Sequence, residues 1–313
     1  DIGANDGTLL GFYKMLELQE DRVPQRIAFE PATNLYDKLK YHCDLMVPDY
    51  FPPVTPYDGP QAKIITSIAM FYDLEDPNAF VAEVKRILHP EGVWVIQLGD
   101  LASMVETNGF DVIGHEHLEY YSLGSLTNLL TRHGLMVYHC TRNDVNGGSI
   151  RVFVRHFEDY SKPIQSSIKD QLGREVDLQL GDPGTWMRLA DTAEQIKKEV
   201  RKIIFNEINQ GQPVDIYGAS TKGNTLLQYF ELDRNMIRRA IERSPEKVGK
   251  FCAGTWIPIV SEEQGRRAPA AMWLVPIWHF KKGILIREAE YLKQGGQMLF
   301  PLPHLHVVGP DNG

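Results

Sequence analysis

Through the first half of the chain, short apolar runs rich in β-branched and aromatic residues alternate with segments of helical periodicity. RIAFE, CDLMVP, AKIITSIAM and GVWVIQLGD predict strands. Between them, NLYDKLKYH and NAFVAEVKRIL predict helices, the second with Phe80, Val81, Val84, Ile87 and Leu88 on one face. Strands separated by helices predict a parallel α/β sheet. Downstream, SLTNLLTRHG predicts a helix stopped at Gly134. LMVYHC and SIRVFVRH then flank NDVNGG, a hairpin signal that closes the sheet with an antiparallel pair. Residues 161–212 turn polar and helical, with AEQIKKEVRKIIFNEI at heptad-like spacing. A second α/β series follows, with VDIYGA, RRAIERS, MWLVPIW and QMLFPLP as strands and NTLLQYF and KKGILIREAEYLKQ as helices. The expected organisation is a first α/β domain over 1–158, a helical connector over 159–212 and a smaller α/β domain over 213–313.

Composition narrows the partners. The chain has 313 residues and a formal charge of −8, with no block of Lys or Arg, so no nucleic-acid partner is expected. No run approaches the about 18–20 apolar residues of a membrane helix. No secretory leader is recognisable either, so no membrane and a cytoplasmic location are expected. Cys43, Cys140 and Cys252 are far apart and form no C-x-x-C pair, which predicts reduced thiols and no metal site. A small-molecule substrate and a monomer or homodimer complete this reading.

The chemistry begins at DIGANDGTLL, which places a glycine-bearing turn at the carboxyl edge of the first parallel strand, where open α/β sheets bind ligands. A dinucleotide fingerprint would need glycines at positions 3, 5 and 8, but the chain has Gly3, Asn5 and Thr8. The pattern Asp1-x-Gly3-x-Asn5-x-Gly7 instead resembles the first motif of class I S-adenosylmethionine methyltransferases. That resemblance implies S-adenosyl-L-methionine as cofactor, with Gly3 and Gly7 letting the backbone approach it and Asp1 suited to a ligand bearing an ammonium and a sulfonium. Glu30, ending the next strand, would accept both ribose hydroxyls, although dinucleotide enzymes place an acid there too. Asp49 would meet the adenine amino group, and Ser67, in the stretch that looks like this superfamily's fourth strand, is also expected to bind the cofactor.

After the fifth strand, FDVIGHEHLEYYS gathers His115, Glu116 and His117. A zinc-protease helix would read H-E-x-x-H, but its last position is Glu119. A His-x-His metal pair with Glu119, or two structural histidines bonded to loop backbone, are the other readings of these residues. DIGANDGTLL, GHEHLEYYSL, VNGGSIRV, YGASTKGNTLLQYF, GTWIPIVSEE and PIWHF, in this order, resemble the S-adenosylmethionine-dependent C-methyltransferases that act on nucleotide-linked keto-deoxysugars. The resemblance runs over nearly the whole chain. It implies a class I, Rossmann-like methyltransferase sheet with an antiparallel final hairpin, then the helical connector and a second Rossmann-like α/β domain. It also implies His117 as general base with Glu116 as its partner, and an enolate steadied by His115, Tyr120 or Tyr121. Family members often carry a tyrosine where this chain has Gly114, and commonly an upstream cysteine-rich zinc module that is absent from this sequence.

In the second α/β series, GASTKGNT has the spacing of a phosphate loop but carries Asn224 where that loop has lysine. Ser220, Lys222 and Asn224 are expected to hold the diphosphate or sugar of the substrate. Two alternatives stay open at this point: an O- or N-methyltransferase on the same scaffold, and a nicotinamide-dependent oxidoreductase, disfavoured by Asn5 and Thr8.

Overall fold

The computed structural model describes residues 1–17 and 24–310, and the chain folds as two compact units. The first comprises residues 1–101, 118–143 and 149–177; the second comprises 102–117, 144–148 and 178–313. The HEH segment therefore belongs with the C-terminal α/β series, although it lies in the first half of the sequence.

In chain order the first unit begins with α1 (Thr8–Glu17), β1 (Ile27–Phe29), α2 (Tyr36–Leu39), β2 (Leu45–Val47), β3 (Ala62–Ile68), α3 (Pro77–Ile87) and β4 (Leu88–Gly99). After α4 (Leu101–Glu106), which apart from Leu101 belongs to the second unit, come α5 (Leu123–Arg132), β5 (Leu135–Asn143), β6 (Ser149–His156) and α6 (Ser166–Asp177). β1 and β2 pair in parallel, and β3-β4-β6-β5 form a four-stranded sheet. Ile2 bridges the two groups, pairing in parallel with Phe29 and Ser67. β6 runs antiparallel to both β4 and β5, which is the closing hairpin that NDVNGG predicted.

Local chemistry explains the helices that cover this sheet. Asp76 caps α3 by accepting from the Ala79 amide at 3.0 Å, Pro77 occupies its first turn, and Phe80, Val81, Val84 and Ile87 are buried. Ser122 and Ser125 form a capping box on α5, whose Leu123, Leu126, Leu129 and Leu130 face the core. Each such side chain contributes about 1.5–3 kcal/mol by burial. Phe71, Phe80, Trp94 and Tyr121 form an aromatic cluster in this core.

The second unit contains α7 (Pro183–Asn209), β7 (Val214–Tyr217), α8 (Thr221–Tyr229), β8 (Ala240–Glu242), β9 (Ile259–Ser261), α9 (Glu262–Arg267), β10 (Met272–Leu274), α10 (Lys281–Arg287), α11 (Ala289–Lys293), β11 (Gln297–Phe300) and β12 (His306–Val308). Its six-stranded sheet has the order β12-β11-β10-β7-β8-β9. All neighbours are parallel except β12 against β11. The order reverses between β7 and β10, as in a doubly wound nucleotide-binding fold.

Three local expectations are refined. The polar helical stretch divides between the units, α6 packing on β5 and α7 entering the core of the second unit. KKGILIREAEYLKQ makes two helices, because Glu288 at their junction turns inward, 3 % exposed, to accept from Tyr217 Oη at 2.7 Å and from Arg266. β9 and β12, three residues each, are too short to carry a period-2 signal. No described helix is long and apolar enough to cross a membrane.

In the second unit Asp215 is fully buried and accepts from Arg238 at 2.8 and 2.9 Å and from Arg239 at 3.1 Å. Asp215→Ala leaves those guanidiniums without their carboxylate and is expected to cost about 3 kcal/mol in urea unfolding. A loss below about 0.5 kcal/mol, the range of ordinary surface substitutions, contradicts a structural role for this pair.

Candidate functional site

Each unit presents predicted site residues at the carboxyl ends of its strands. In the first, Glu30 follows β1 and is 6 % exposed. Its Oε2 accepts from the Asn5 amide and its Oε1 from the Ala32 amide, both at 2.8 Å. The carboxylate thus fastens the opening turn to the end of β1. An ionised carboxylate has about four acceptor positions, so lone pairs remain for a diol. Gly3 and Gly7 both have positive φ, at 73° and 83°. A Cβ at Gly7 would lie 2.9 Å from Leu39 Cδ1 and His42 Cβ, so a glycine is needed for close packing against these side chains. Asn5, also at positive φ, is exposed at the tip of the turn.

The other predicted cofactor residues fare differently. Asp1 accepts from Thr66 Oγ1 at 2.6 Å. Asp49 receives the Tyr50 and Val54 amides at 2.8 and 2.9 Å and thereby organises its own loop. Ser67 is a correction: it is fully buried and accepts from the Trp94 indole at 3.1 Å, so it is a core hydroxyl. A cavity of about 420 Å³ opens between Arg26–Ile27 and Ala62–Ile65; among the predicted cofactor residues it includes Asp1 alone.

In the second unit the HEH segment forms a tight turn, His117 N bonding to Gly114 O at 3.2 Å. His117 Nδ1 lies 2.7 Å from the Val112 carbonyl oxygen. A carbonyl only accepts, so Nδ1 carries the proton and the lone pair of the neutral ring lies on Nε2. The Val112 carbonyl thus helps to orient the His117 ring. Glu116 Oε2 is 3.9 Å from His115 Nε2, and the His115 side chain is 98 % exposed. In the first unit Tyr121 Oη donates to Glu119 at 3.1 Å and is buried, which withdraws it as a donor to substrate. Tyr120 is 36 % exposed.

Around the GASTKGNT turn, Ser220 caps α8 by accepting from the Gly223 amide at 2.9 Å. Lys222 donates to the Asn146 carbonyl at 2.5 Å, and Asn224 Oδ1 is buried without a hydrogen-bond partner. The structure adds residues that local patterns did not single out. Asp111, 1 % exposed, accepts from Trp278 Nε1 at 2.9 Å. Burial raises the Asp111 carboxyl above the usual range and lowers the Lys222 ammonium below its own.

His279 is pushed from 6.5 down to about 4, first by burial and then by Lys222. Below the usual histidine range the unfolded chain binds a proton that the folded chain refuses. Stability therefore falls as pH drops from 6.5 towards about 4. His279→Phe should flatten the pH dependence of the urea midpoint across that window, and an unchanged slope would assign acid sensitivity to other groups. Among the described residues, no three of His, Cys, Asp and Glu are gathered closely enough to hold a metal ion.

Comparison with known proteins gives a consistent assignment. Residues 144–303, just over half of the chain, match the family described as "C-methyltransferase C-terminal domain", and residues 1–139 match "Methyltransferase domain". The C-methyltransferase NovU of Streptomyces niveus is 28 % identical over 323 residues, covering 99 % of this chain and 76 % of that protein. Among solved structures, the plantazolicin methyltransferase BpumL in complex with a pentazolic desmethylPZN analog and SAH aligns at 12 % identity and a TM-score of 0.39, over 50 % of this chain and 75 % of that one. The PH0226 protein of Pyrococcus horikoshii OT3 aligns at 12 % identity and a TM-score of 0.40, over 50 % of this chain and 80 % of that one.

Proposed function

Because the chain belongs to the C-methyltransferase family, with S-adenosyl-L-methionine as its cofactor, we propose that it methylates the carbon beside the ketone of a nucleotide-linked keto-deoxysugar. When bound, S-adenosyl-L-methionine supplies an electrophilic methyl group on a sulfonium. Glu30 fits this cofactor: its carboxylate has lone pairs left for the ribose hydroxyls after taking the Asn5 and Ala32 amides. Asp49, with both oxygens already on backbone amides, still has acceptor capacity for the adenine amino group. Asp1, though bonded to Thr66, retains a carboxylate oxygen for the ammonium of the cofactor.

The observation that carries the reading is the His117 Nδ1 contact with Val112 O at 2.7 Å. It places the ring lone pair on Nε2, the form a general base requires. A proton on carbon next to a ketone is acidic enough for a positioned imidazole to remove. The electron pair left behind delocalises onto the carbonyl oxygen, and the carbon becomes the nucleophile that a sulfonium methyl requires. Developing charge on that oxygen needs a donor, for which Tyr120 Oη is the candidate. His115, with its ring in solvent, is a weaker candidate than its position in the sequence suggested.

Substrate binding is assigned to the second unit, with Ser220, Lys222 and Asn224 holding the diphosphate or sugar. Lys222→Ala should raise the substrate KM by roughly tenfold at nearly constant kcat, as expected when a binding contact is removed; an unchanged KM removes Lys222 from the site. The reading as a whole is tested by incubating the protein with S-adenosylmethionine and a panel of nucleotide-linked 4-keto sugars. A mass gain of one methyl on at least one sugar is expected, and no gain on any of them overturns the substrate class.

A further inference from the structure

The carboxyl ends of β7 and β10 flank the point where the strand order of the second sheet reverses, the place where open α/β sheets bind ligands. β7 leads into Gly218–Ser220, and β10 into Pro276–His279. These turns approach closely: a Cβ on Gly218, at φ 97°, would lie 2.6 Å from Ile277 Cδ1. The end of β8 carries a brace like that of the first unit. Glu242 Oε2 accepts from the Ala219 amide at 2.9 Å, much as Glu30 accepts from Asn5. Each sheet thus ties its first strand-to-helix turn to an acid at the end of the neighbouring strand.

Three side chains at this reversal point have buried polar atoms with no partner: Asp111 Oδ1, Asn224 Oδ1 and His279 Nδ1. Asp111 is held there by the Trp278 indole on its other oxygen, and its turn packs against α8. Lys222 lies within electrostatic reach of both Asp111 and His279. An unsatisfied buried polar group costs about 1–3 kcal/mol. Three near one strand-order reversal leave hydrogen-bonding capacity that a ligand can complete.

The donor and acceptor inventory identifies the ligand. A diphosphate offers only acceptors, so it would set negative charge beside a buried carboxylate and leave the Asn224 oxygen unsatisfied. A sugar hydroxyl donates and accepts, which suits Asp111, Asn224 and a neutral His279 together. We propose that this crevice is a sugar-hydroxyl site, in which Asp111 and Asn224 accept hydroxyl protons of the substrate's sugar and His279 makes a third contact. Lys222, which balances Asp111, then serves the sugar end of the substrate and not its diphosphate. The proposal rests on the reading of the substrate as a nucleotide-linked sugar and narrows what these residues recognise.

The test is titration calorimetry on the whole chain with two pairs of probes, UDP with UDP-glucose and dTDP with dTDP-glucose. Neither sugar carries a ketone, so binding is read apart from reaction. In at least one pair the glucose compound should bind about tenfold more tightly than its diphosphate, a difference of about 1.4 kcal/mol. Asn224→Ala and His279→Ala, each shown folded by circular dichroism, should bring the two members of that pair to within about twofold and leave diphosphate affinity unchanged. Asp111→Asn, which retains an acceptor for Trp278, should weaken only the sugar compound. The proposal is overturned if the variants weaken the diphosphate by the same factor, or if glucose adds no affinity in either pair. Should these residues read the glucose hydroxyls while no keto sugar is methylated, the reaction assignment fails and this site stands.

Discussion

His117→Ala should lower kcat for methyl transfer by about 10²- to 10⁴-fold, the range a positioned general base supplies. Affinity for S-adenosylmethionine should stay within about twofold of the parent, because the change removes a proton acceptor and no cofactor contact. His117→Asn is the sharper variant. Its amide nitrogen, on Cγ as Nδ1 is, retains a donor for the Val112 carbonyl, now 2.7 Å from His117 Nδ1, but it offers no basic nitrogen. Loss of turnover in both variants separates proton abstraction from loop geometry. If His117→Asn retained parental kcat, His117 would be a loop residue and the base would lie elsewhere.

Glu30→Ala is expected to raise the dissociation constant for S-adenosylmethionine by about 100-fold, or about 3 kcal/mol, near the upper end for hydrogen bonds to a charged group. Part of this is direct, through lost acceptors for the ribose. Part is indirect, since the Asn5 and Ala32 amides lose the carboxylate that accepts from both at 2.8 Å. Glu30→Gln keeps one oxygen acceptor and should fall between parent and alanine. Equilibrium dialysis against labelled cofactor distinguishes the three, and equal affinity in all of them would remove Glu30 from the cofactor site.

The position of Glu30 in the sheet was legible because a local rule places it. An acid closing the second parallel strand faces the first turn in any sheet of this kind, and Glu30 does so without regard to distant sequence. The alternation of strand and helix and the Asn-Gly-Gly hairpin were likewise local, and both appear in the structure. Pairings between remote segments were not legible. Asp111 and Trp278 are 167 residues apart, and no periodicity joins them. Trp94 shields Ser67, so a serine near the strand end that suggested a ligand contact became a core hydroxyl. The division of labour within HEH also escaped a linear reading. Glu116 approaches His115, and a backbone carbonyl five residues back helps to orient His117, a contact that no linear pattern announces.

His279 shows the same limit from another side. The run Trp278-His279-Phe280 follows β10 where the second sheet reverses order, and burial with the nearby Lys222 keeps the imidazole neutral down to about pH 4. A residue's chemistry there depends on strands that the sequence places far away.

The central claim is that the bond formed joins carbon to carbon. Its most direct test uses S-adenosylmethionine labelled with ¹³C in the methyl group, together with whichever keto sugar gains mass. Nuclear magnetic resonance of the product should show the labelled methyl in the aliphatic C-methyl region, coupled through bonds to ring protons beside the former α-carbon. A labelled methyl resonating as an O-methyl or N-methyl group would contradict the account, however efficient the transfer.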